Sequence, residues 1–192
     1  MKLRLVTIAD RIPNQDVLEF IQLHQPDVIC LLGDLDIFIV RPLRQVTDIP
    51  IVGVYGNHCH RGYLDDIGAT DLHLKTIDIK GVKFGGFEGS VRYKNNPDAP
   101  MLTQEEANEL VEALPPVEVL ISHCPPYGVH DEPNETDKSH EGFRALRHYD
   151  EIFKPKYHLH GHTYPCSDKC STMLGQTEVI FTQNIQAFEI GL

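Results

Sequence analysis

The sequence predicts an α/β protein with parallel strands, and this class rests on two observations. Three apolar runs end at a glycine or an aspartate early in the chain, at residues 3–9, 27–32 and 49–55. Helical spacing between these runs indicates strand–helix–strand repeats, which build a parallel sheet with helices on its faces. Further along, runs 72–79 and 82–87 flank Lys80-Gly81 and predict an antiparallel hairpin with a tight turn.

Four helices are expected on the faces of this sheet. The first has its apolar stripe at positions 17, 20, 21 and 24, and Asn14 is the expected N-cap. Residues 38–46 predict a short second helix. Thr103, with Glu106 three residues later, forms a capping box for a third helix that is expected to reach residue 114. Ser139 is the expected cap of a fourth helix that ends at residue 153.

The later apolar runs predict four more strands. Two lie at residues 117–122 and 156–161, and the closing two lie at 178–182 and 185–190. The polar segment 125–138 is longer than an ordinary connection inside a compact domain. Long connections of this kind often carry function, so this segment is a candidate rim of an active site.

Composition and charge narrow the class of protein. With 192 residues, 41% apolar and 23% charged, residues 1–192 are expected to form one soluble globular domain. The net charge of −11 argues against a protein that binds extended nucleic acid through its phosphates. A small phosphorylated substrate stays compatible with that charge if bound cations offset clustered carboxylates.

The chain shows neither a targeting segment nor a membrane span. The apolar run at 3–9 contains Arg4 and is too short for a signal peptide, and no run approaches the length of a bilayer. Five cysteines form no even set, and a chain of this size does not need disulfides to fold. The expected location is therefore the reducing cytoplasm.

One apolar run carries histidines at every second position. They are His158, His160 and His162, and alternation in a strand predicts that all three share one face. A lone buried histidine is most often structural. Three together indicate a ligand set only if partners arrive from other strands.

Such partners directly follow the other apolar runs. The polar residues at the strand ends are Asp10, Asp34, Asn57 with His58, His123 and His162. Loops at the carboxyl ends of strands converge on one edge of an α/β sheet, which is where these proteins bind ligands. Carboxylate, amide and imidazole donors together suit a divalent metal ion.

This order of motifs, Asp, Gly-Asp, Gly-Asn-His, His and Gly-His, resembles the calcineurin-like metallophosphoesterase superfamily across residues 10–164. Segments 122–128 and 155–162 are similar to those of its small, uncapped, phosphodiesterase-like members. The resemblance implies a four-layer αββα sandwich, in which two mixed β-sheets pack face to face with helices outside. It also implies that Asp34 bridges two metal ions and that Asn57, His123 and His162 complete the ligand shell of the second metal.

The chain departs from the family pattern in the shell of the first metal. Asp10 is present, but Ile12 and Tyr164 occupy the positions of two histidine ligands. The first site is therefore either lost or rebuilt. A Tyr164 phenolate could bind a ferric ion, yet a wall of the pocket is the favoured role because an ordinary phenol ionises near pH 10. Cys59 stands where relatives carry an acid, which leaves open the group that orients His58.

The resemblance implies hydrolysis of a small phosphodiester, in preference to a monoester, by a metal-activated water. One or two divalent or trivalent ions are expected, with Mn or Fe favoured and Zn or Ni permitted. His58 is the expected proton donor to the leaving oxygen. Arg11 is either a phosphate ligand or a solvated charge. Tyr127 and His140, in or beside the polar segment, are candidates for lining the substrate cleft.

The alternative reading is a binding scaffold of the same fold that is catalytically weak or inactive. An incomplete ligand shell at the first metal is consistent with a scaffold that descends from an enzyme. The intact ligand set of the second metal and His58 favour the enzyme. An exposed apolar patch would favour the scaffold.

Overall fold

The computed structural model describes residues 2–191 and contains thirteen strands within that range. In chain order they are β1 (Lys2–Ala9), β2 (Val28–Leu31), β3 (Ile51–Gly53), β4 (Thr70–Asp71), β5 (Thr76–Ile79), β6 (Val82–Phe87), β7 (Ser90–Val91), β8 (Met101–Leu102), β9 (Val119–Ser122), β10 (Tyr157–His160), β11 (Lys169–Leu174), β12 (Thr177–Thr182) and β13 (Asn184–Gly191).

Most of these strands form two mixed sheets. The first sheet has the order β13-β1-β2-β3-β4, in which only the β13–β1 pair is antiparallel. The second has the order β11-β12-β10-β9-β6-β5, with antiparallel pairs at both edges and parallel strands between them. Strands β7 and β8 form a small parallel pair of their own. The predicted hairpin is present as β5 and β6.

Helices cover the outer face of each sheet. They are α1 (Val17–His24), α2 (Ile37–Val40), α3 (Tyr63–Asp66), α4 (Gln104–Val111) and α5 (Arg144–Phe153), with a 3₁₀ turn at Arg41–Gln45. The first three helices pack against the first sheet, and α4 and α5 pack against the second. Within the described chain, no helix has the length and apolar character needed to cross a bilayer.

A continuous apolar core lies between the two sheets. Leu5 and Cys30 of the first sheet belong to the same buried cluster as Phe84 and Leu159 of the second. Each fully buried leucine or phenylalanine contributes roughly 1.5–3 kcal/mol through loss of apolar surface from water. The predicted four-layer sandwich is therefore confirmed.

The helix starts differ from the predictions in two places. Asp16, not Asn14, caps α1, because its carboxylate accepts the Glu19 backbone N–H at 2.9 Å and a cap must lie about three residues from that donor. Helix α5 begins at Arg144, not at Ser139, because the preceding residues pair with the loop after β9. The Thr103 capping box is present, although its helix ends at residue 111.

Both closing strands that the sequence predicts are present, as β12 and β13. They lie in different sheets, because the chain crosses from the second sheet to the first at Gln183 and Asn184. Strand β11 was not predicted, since its residues are mostly exposed and show no apolar alternation. The crossing brings Gln183 to the edge of the sheets where the polar strand ends meet.

Candidate metal centre

Five of the predicted site residues meet at one edge of the two sheets. Asp10, Asp34 and Asn57 come from the first sheet, and His123 and His162 come from the second. One oxygen or nitrogen atom from each of Asp34, His123 and His162 lies within 4.8 Å of the other two. The Asn57 Oδ1 lies 3.1 Å from the His123 Nε2, and the Asp10 Oδ2 accepts the His162 backbone N–H at 3.0 Å.

Left-handed backbone directs three of these side chains into the centre. The φ angles are 58° at Asp10, 52° at Asp34 and 69° at His162, a region that costs a residue with a side chain about 1–3 kcal/mol. The positions next to these side chains have room only for glycine. A Cβ at Gly161 would lie 2.5 Å from the Asp10 Oδ2, and a Cβ at Gly56 would collide with the Asp34 carboxylate. Such concentrated strain is typical of functional sites.

His123 places a ring nitrogen among oxygen atoms that only accept hydrogen bonds. Its Nδ1 donates to the Leu32 carbonyl at 2.8 Å, so the neutral ring carries its lone pair on Nε2. That nitrogen faces the Asn57 Oδ1 at 3.1 Å and the Asp34 Oδ2 at 3.4 Å. Three lone pairs that point together repel unless a proton or a cation lies among them. In the metal-free protein a proton on Nε2 fills this position, since, against the effect of burial, Asp34 and Asp10 raise the pKa of His123 to about 9. A metal ion can take the place of that proton, so the donor set fits a metal ion.

His162 is held in the form that binds metals. Its Nε2 donates to the Ser139 carbonyl at 2.7 Å, which leaves the Nδ1 lone pair available. Burial lowers the pKa of His162 to about 3, and the neighbouring charge of His123 contributes to this shift. The ring is therefore neutral across the physiological range, as a ligand must be.

The carboxylates and His123 shift one another's pKa. Burial raises the pKa of Asp10 to about 6, and the negative charge of Asp34 adds to this effect while His123 opposes it. Burial would also raise the pKa of Asp34, but His123 and the His58 backbone N–H outweigh burial and lower it. Burial would lower the pKa of His123, yet Asp34 and Asp10 raise it. The centre thus stabilises positive charge.

Cys59 connects the loops that hold Asp34 and Asn57. Its sulfur accepts backbone N–H groups of Asp34 at 3.0 Å and Gly56 at 3.1 Å. Burial, reinforced by the Asp34 charge, raises the pKa of Cys59 to about 11, so the group is a neutral thiol. The Cys59 side chain therefore holds the two loops together.

His58 extends from the same loop into solvent. Its backbone N–H donates to the Asp34 Oδ1 at 2.7 Å, while its Nε2 lies 3.5 Å from the Tyr93 hydroxyl. Among residues 2–191, no carboxylate makes a hydrogen bond or an ion pair with the His58 ring. The Tyr93 phenol is thus a polar side chain beside the His58 ring, and no sequence motif had marked it.

Different groups surround Asp10 on its other side. The Arg11 Nε donates to the Gln183 Oε1 at 3.0 Å, and its guanidinium lies over the Tyr164 ring, 4.9 Å from the ring centre. Gln183 is fixed in turn by donating to the Ser167 carbonyl. The terminal nitrogens of Arg11 have no hydrogen-bond partner in the described part of the chain, so they are available to an anion.

The two candidates near the polar segment, His140 and Tyr127, lie in different surroundings. The His140 ring makes edge contacts with His162 at 5.5 Å and with Tyr164 at 6.1 Å between ring centres, so it borders the centre. The Tyr127 ring instead lies under the Arg144 guanidinium at 5.0 Å. No hydrogen bond or ring contact within residues 2–191 links Tyr127 to the metal-ligand cluster, and its role in the cleft stays a prediction.

Comparison with known proteins adds evidence at the level of the fold. No family model matches this sequence, and no curated protein matches it significantly. The crystal structure of TT1561 of Thermus thermophilus superposes with a TM-score of 0.66 at 15% identity, covering 96% of this chain and 90% of that one. The chain therefore shares the four-layer fold of that structure. At this identity the likeness shows the fold alone.

A second solved structure, described as a novel archaeal phosphodiesterase, is less similar. Its TM-score is 0.47 at 13% identity, over 99% of this chain and 100% of that chain. At this score the similarity is too weak to support a conclusion about this protein. What this fold does chemically in this protein must therefore be judged from the residues of the site.

Not all histidines of the β10 run reach the site. His158 and His160 are buried on the helix-facing side of the second sheet, and His162 lies beyond the strand after a left-handed turn. His158 bridges Asp150 at 2.7 Å and Ser122 at 2.8 Å. The prediction that all three share one face is wrong, because the alternation ends where the strand ends.

Proposed function

We propose that this protein is a metal-dependent phosphoesterase that hydrolyses a small phosphodiester. The observation that carries the proposal is the convergence of lone pairs from His123, Asp34 and Asn57, with His162 beside them. A cation held there, with Mn or Fe favoured and Zn or Ni permitted, would supply Lewis acidity and activate the attacking water.

The groups on the other side of the site suit the phosphoryl oxygens. Ile12 has no ligand atom and is 75% exposed. Tyr164 is 42% exposed, unlike the buried histidines of the centre. Arg11, held by Gln183 and by the Tyr164 ring, offers its terminal N–H groups to a phosphate in place of a second cation. One guanidinium matches the single charge of a diester better than the two charges of a monoester.

The remaining step is the departure of the alcohol. Hydrolysis forms a bond from the water oxygen to phosphorus and breaks the bond from phosphorus to the alcohol oxygen, which must gain a proton. The exposed imidazole of His58, anchored through its backbone to Asp34, is the proposed source of that proton.

The proposed partner is a small phosphorylated molecule. Extended nucleic acid is disfavoured because the chain carries a net charge of −11. We also propose a cytoplasmic location, where the buried thiols of Cys30, Cys59 and Cys124 would stay reduced.

The test combines metal content with hydrolysis. The protein is purified without added metal, analysed by elemental mass spectrometry, and assayed on bis(4-nitrophenyl) phosphate and 4-nitrophenyl phosphate. We expect close to one metal ion per chain and faster hydrolysis of the diester. Failure to bind metal after reconstitution with manganese would refute the proposal.

The alternative function is an adaptor, and one surface favours it. A groove of about 480 Å³ beside the Asp10 loop is lined by Ile12, Val17, Phe38 and Ile39, and Phe38 is 77% exposed. Exposed apolar surface of this kind is typical of interaction sites. Loss of diester hydrolysis in His58→Ala, with the fold retained by circular dichroism, would support the enzyme. Absence of hydrolysis in the native protein would support the adaptor.

A further inference from the structure

The Tyr93 hydroxyl lies between two residues of the proposed active site. Its oxygen accepts the Asn57 Nδ2 amide at 3.3 Å and lies 3.5 Å from the His58 Nε2. The side-chain oxygen of Asn57 faces His123, so the amide nitrogen is the group that remains for Tyr93. Tyr93 is thus tied to the metal-ligand cluster on one side and to the expected proton donor on the other.

The hydrogen-bonding capacity of a phenol limits what Tyr93 does. Its oxygen has two lone pairs and one proton. The Asn57 amide occupies one lone pair, and a His58 ring that carries the proton to be transferred donates to the other. The Tyr93 proton is then free, because no third partner for this hydroxyl occurs in residues 2–191. That proton is available to a bound substrate.

A cavity of about 540 Å³ begins at Asn57 and His58. Its walls include His58, His60, Lys94, Asn96 and Asp98. Tyr93 lies directly behind this wall, because it contacts three of the lining residues: its hydroxyl meets Asn57 and His58, and its ring lies under the Lys94 ammonium at 4.9 Å. The volume falls within the range of small-molecule sites. Donors and acceptors of both charges suit a hydroxyl-rich group better than a hydrocarbon chain.

We propose that this cavity receives the alcohol that leaves during hydrolysis, and that the Tyr93 hydroxyl is the catalytic residue that donates a proton to it. The substrate class is then a phosphodiester whose leaving group is a polyhydroxy alcohol, such as glycerol or a sugar. This inference rests on the proposed phosphodiesterase function and assigns a group and a binding site to its last step.

The proton transfers balance without any further reactant. As the bond from phosphorus to the alcohol breaks, its electron pair stays on the alcohol oxygen, which takes the Tyr93 proton. The proton on the His58 Nε2 moves to the Tyr93 oxygen. Tyrosine therefore ends as it began, and His58, which enters the step as the imidazolium, ends as the neutral ring. The attacking water releases one proton to solvent, which replaces the proton that His58 gave up.

The experiment compares two diesters that share one phosphoryl group. Glycerol 4-nitrophenyl phosphate releases a nitrophenolate, which needs no proton, whereas diglycerol phosphate releases a glycerol alkoxide, which does. Both give glycerol phosphate, so one chromatographic assay follows both. Tyr93→Phe is compared with the native protein, and Tyr157→Phe is the matched control, since it also removes one bonded hydroxyl, here from the Gly191 carbonyl.

We expect Tyr93→Phe to lower kcat for diglycerol phosphate by about 100-fold or more, the usual contribution of a proton donor. The nitrophenyl ester should lose less than about 3-fold, and Tyr157→Phe should change neither rate. Equal losses on both esters, or no loss, would overturn the role of Tyr93.

A second measurement tests the cavity. Glycerol butyl phosphate has two bonds that hydrolysis could break, and the native protein should release glycerol at least about 10-fold faster than butanol. Equal release would overturn the preference for a polyhydroxy alcohol. Hydrolysis of the nitrophenyl ester alone would overturn this inference but leave the proposed function standing, whereas hydrolysis of no diester would refute both.

Discussion

On the Asp34 side of the site, oxygen and nitrogen lone pairs point at one another, whereas on the Asp10 side a guanidinium lies beside the carboxylate. In the Asp34 half, the lone pairs of His123, Asn57 and Asp34 repel one another unless a proton or a cation lies among them. The Asp10 half contains its own positive charge, the Arg11 guanidinium, which Gln183 and the Tyr164 ring hold in place.

The difference indicates a division of labour within one site. A fixed guanidinium needs no loading and orients an anion through paired N–H groups, but it is a poor Lewis acid. A metal ion both orients and polarises its ligands. The Asp34 half is therefore suited to activation and the Arg11 half to binding, and substitutions on the two sides should affect different quantities.

The largest effect is expected from His123→Asn. The change removes a donor to the proposed metal, so metal content should fall well below one ion per chain and kcat/KM should fall by more than about 100-fold, beyond the usual cost of losing a group that only supports a ligand. His160→Asn is the matched control, since His160 is an equally buried histidine outside the centre. Unchanged metal content in His123→Asn would mean that the lone pairs on this side do not hold the ion.

The next effect concerns the metal-free protein and Asp10→Asn. Burial raises the pKa of Asp10 from 3.8 to about 6, so its ionisation opposes folding. This cost is absent below pH 3.8 and grows between pH 3.8 and about 6. Above pH 6 it stays constant, on the order of 3 kcal/mol. In chelator, Asp10→Asn should match the native protein near pH 4 in urea unfolding and exceed it at pH 8.

Added metal should reverse that order at pH 8, because a cation stabilises the ionised carboxylate and the amide of the variant has no charge to offer. Asp98→Asn, an exposed loop change, serves as the control and should have little effect at either pH. A metal-free Asp10→Asn variant less stable than the native protein at pH 8 would contradict the balance of charges described for this half.

A smaller effect is expected from Arg11→Ala. Loss of a charged hydrogen-bond donor to phosphate should lower kcat/KM by about 10- to 30-fold, mainly through KM, while metal content stays unchanged. Arg41→Ala is the matched control, because Arg41 also lies over an aromatic ring, that of Phe38 at 6.0 Å. If Arg11→Ala lost metal instead, the two halves would not be separable.

The strand-end residues could be predicted because each needs only its own local context. Asp34, Asn57 and His123 each follow a short apolar strand directly, and parallel strands bring such positions together whatever the rest of the sequence does. The glycines beside them could be placed for the same reason, since they permit close approach at Gly56 and Gly161.

The remaining parts of the site depend on contacts that no local pattern records. Tyr93 reaches Asn57 from 36 residues away. Gln183 reaches Arg11 only because the chain crosses between sheets at that point, and Ser139 contributes a backbone carbonyl, which any residue could supply. The period-two argument failed at His162 for a related reason: a repeat holds only within the strand, and nothing local records that the strand ends at His160 or which face of the sheet meets the site.

The smallest effect, from Tyr164→Phe, decides what the Asp10 half has become. Burial, followed by the Asp10 charge, raises the pKa of Tyr164, which opposes a phenolate ligand. If the ring only supports Arg11, Tyr164→Phe should keep kcat/KM within about 3-fold, with metal content unchanged. Tyr164→Ala removes the ring and should cost somewhat more, since a cation–π contact contributes about 0.5–1 kcal/mol at an exposed site. Loss of one metal ion or of a visible absorption band in Tyr164→Phe would show instead that the phenol binds iron, and Arg11 would then be its neighbour, not its replacement.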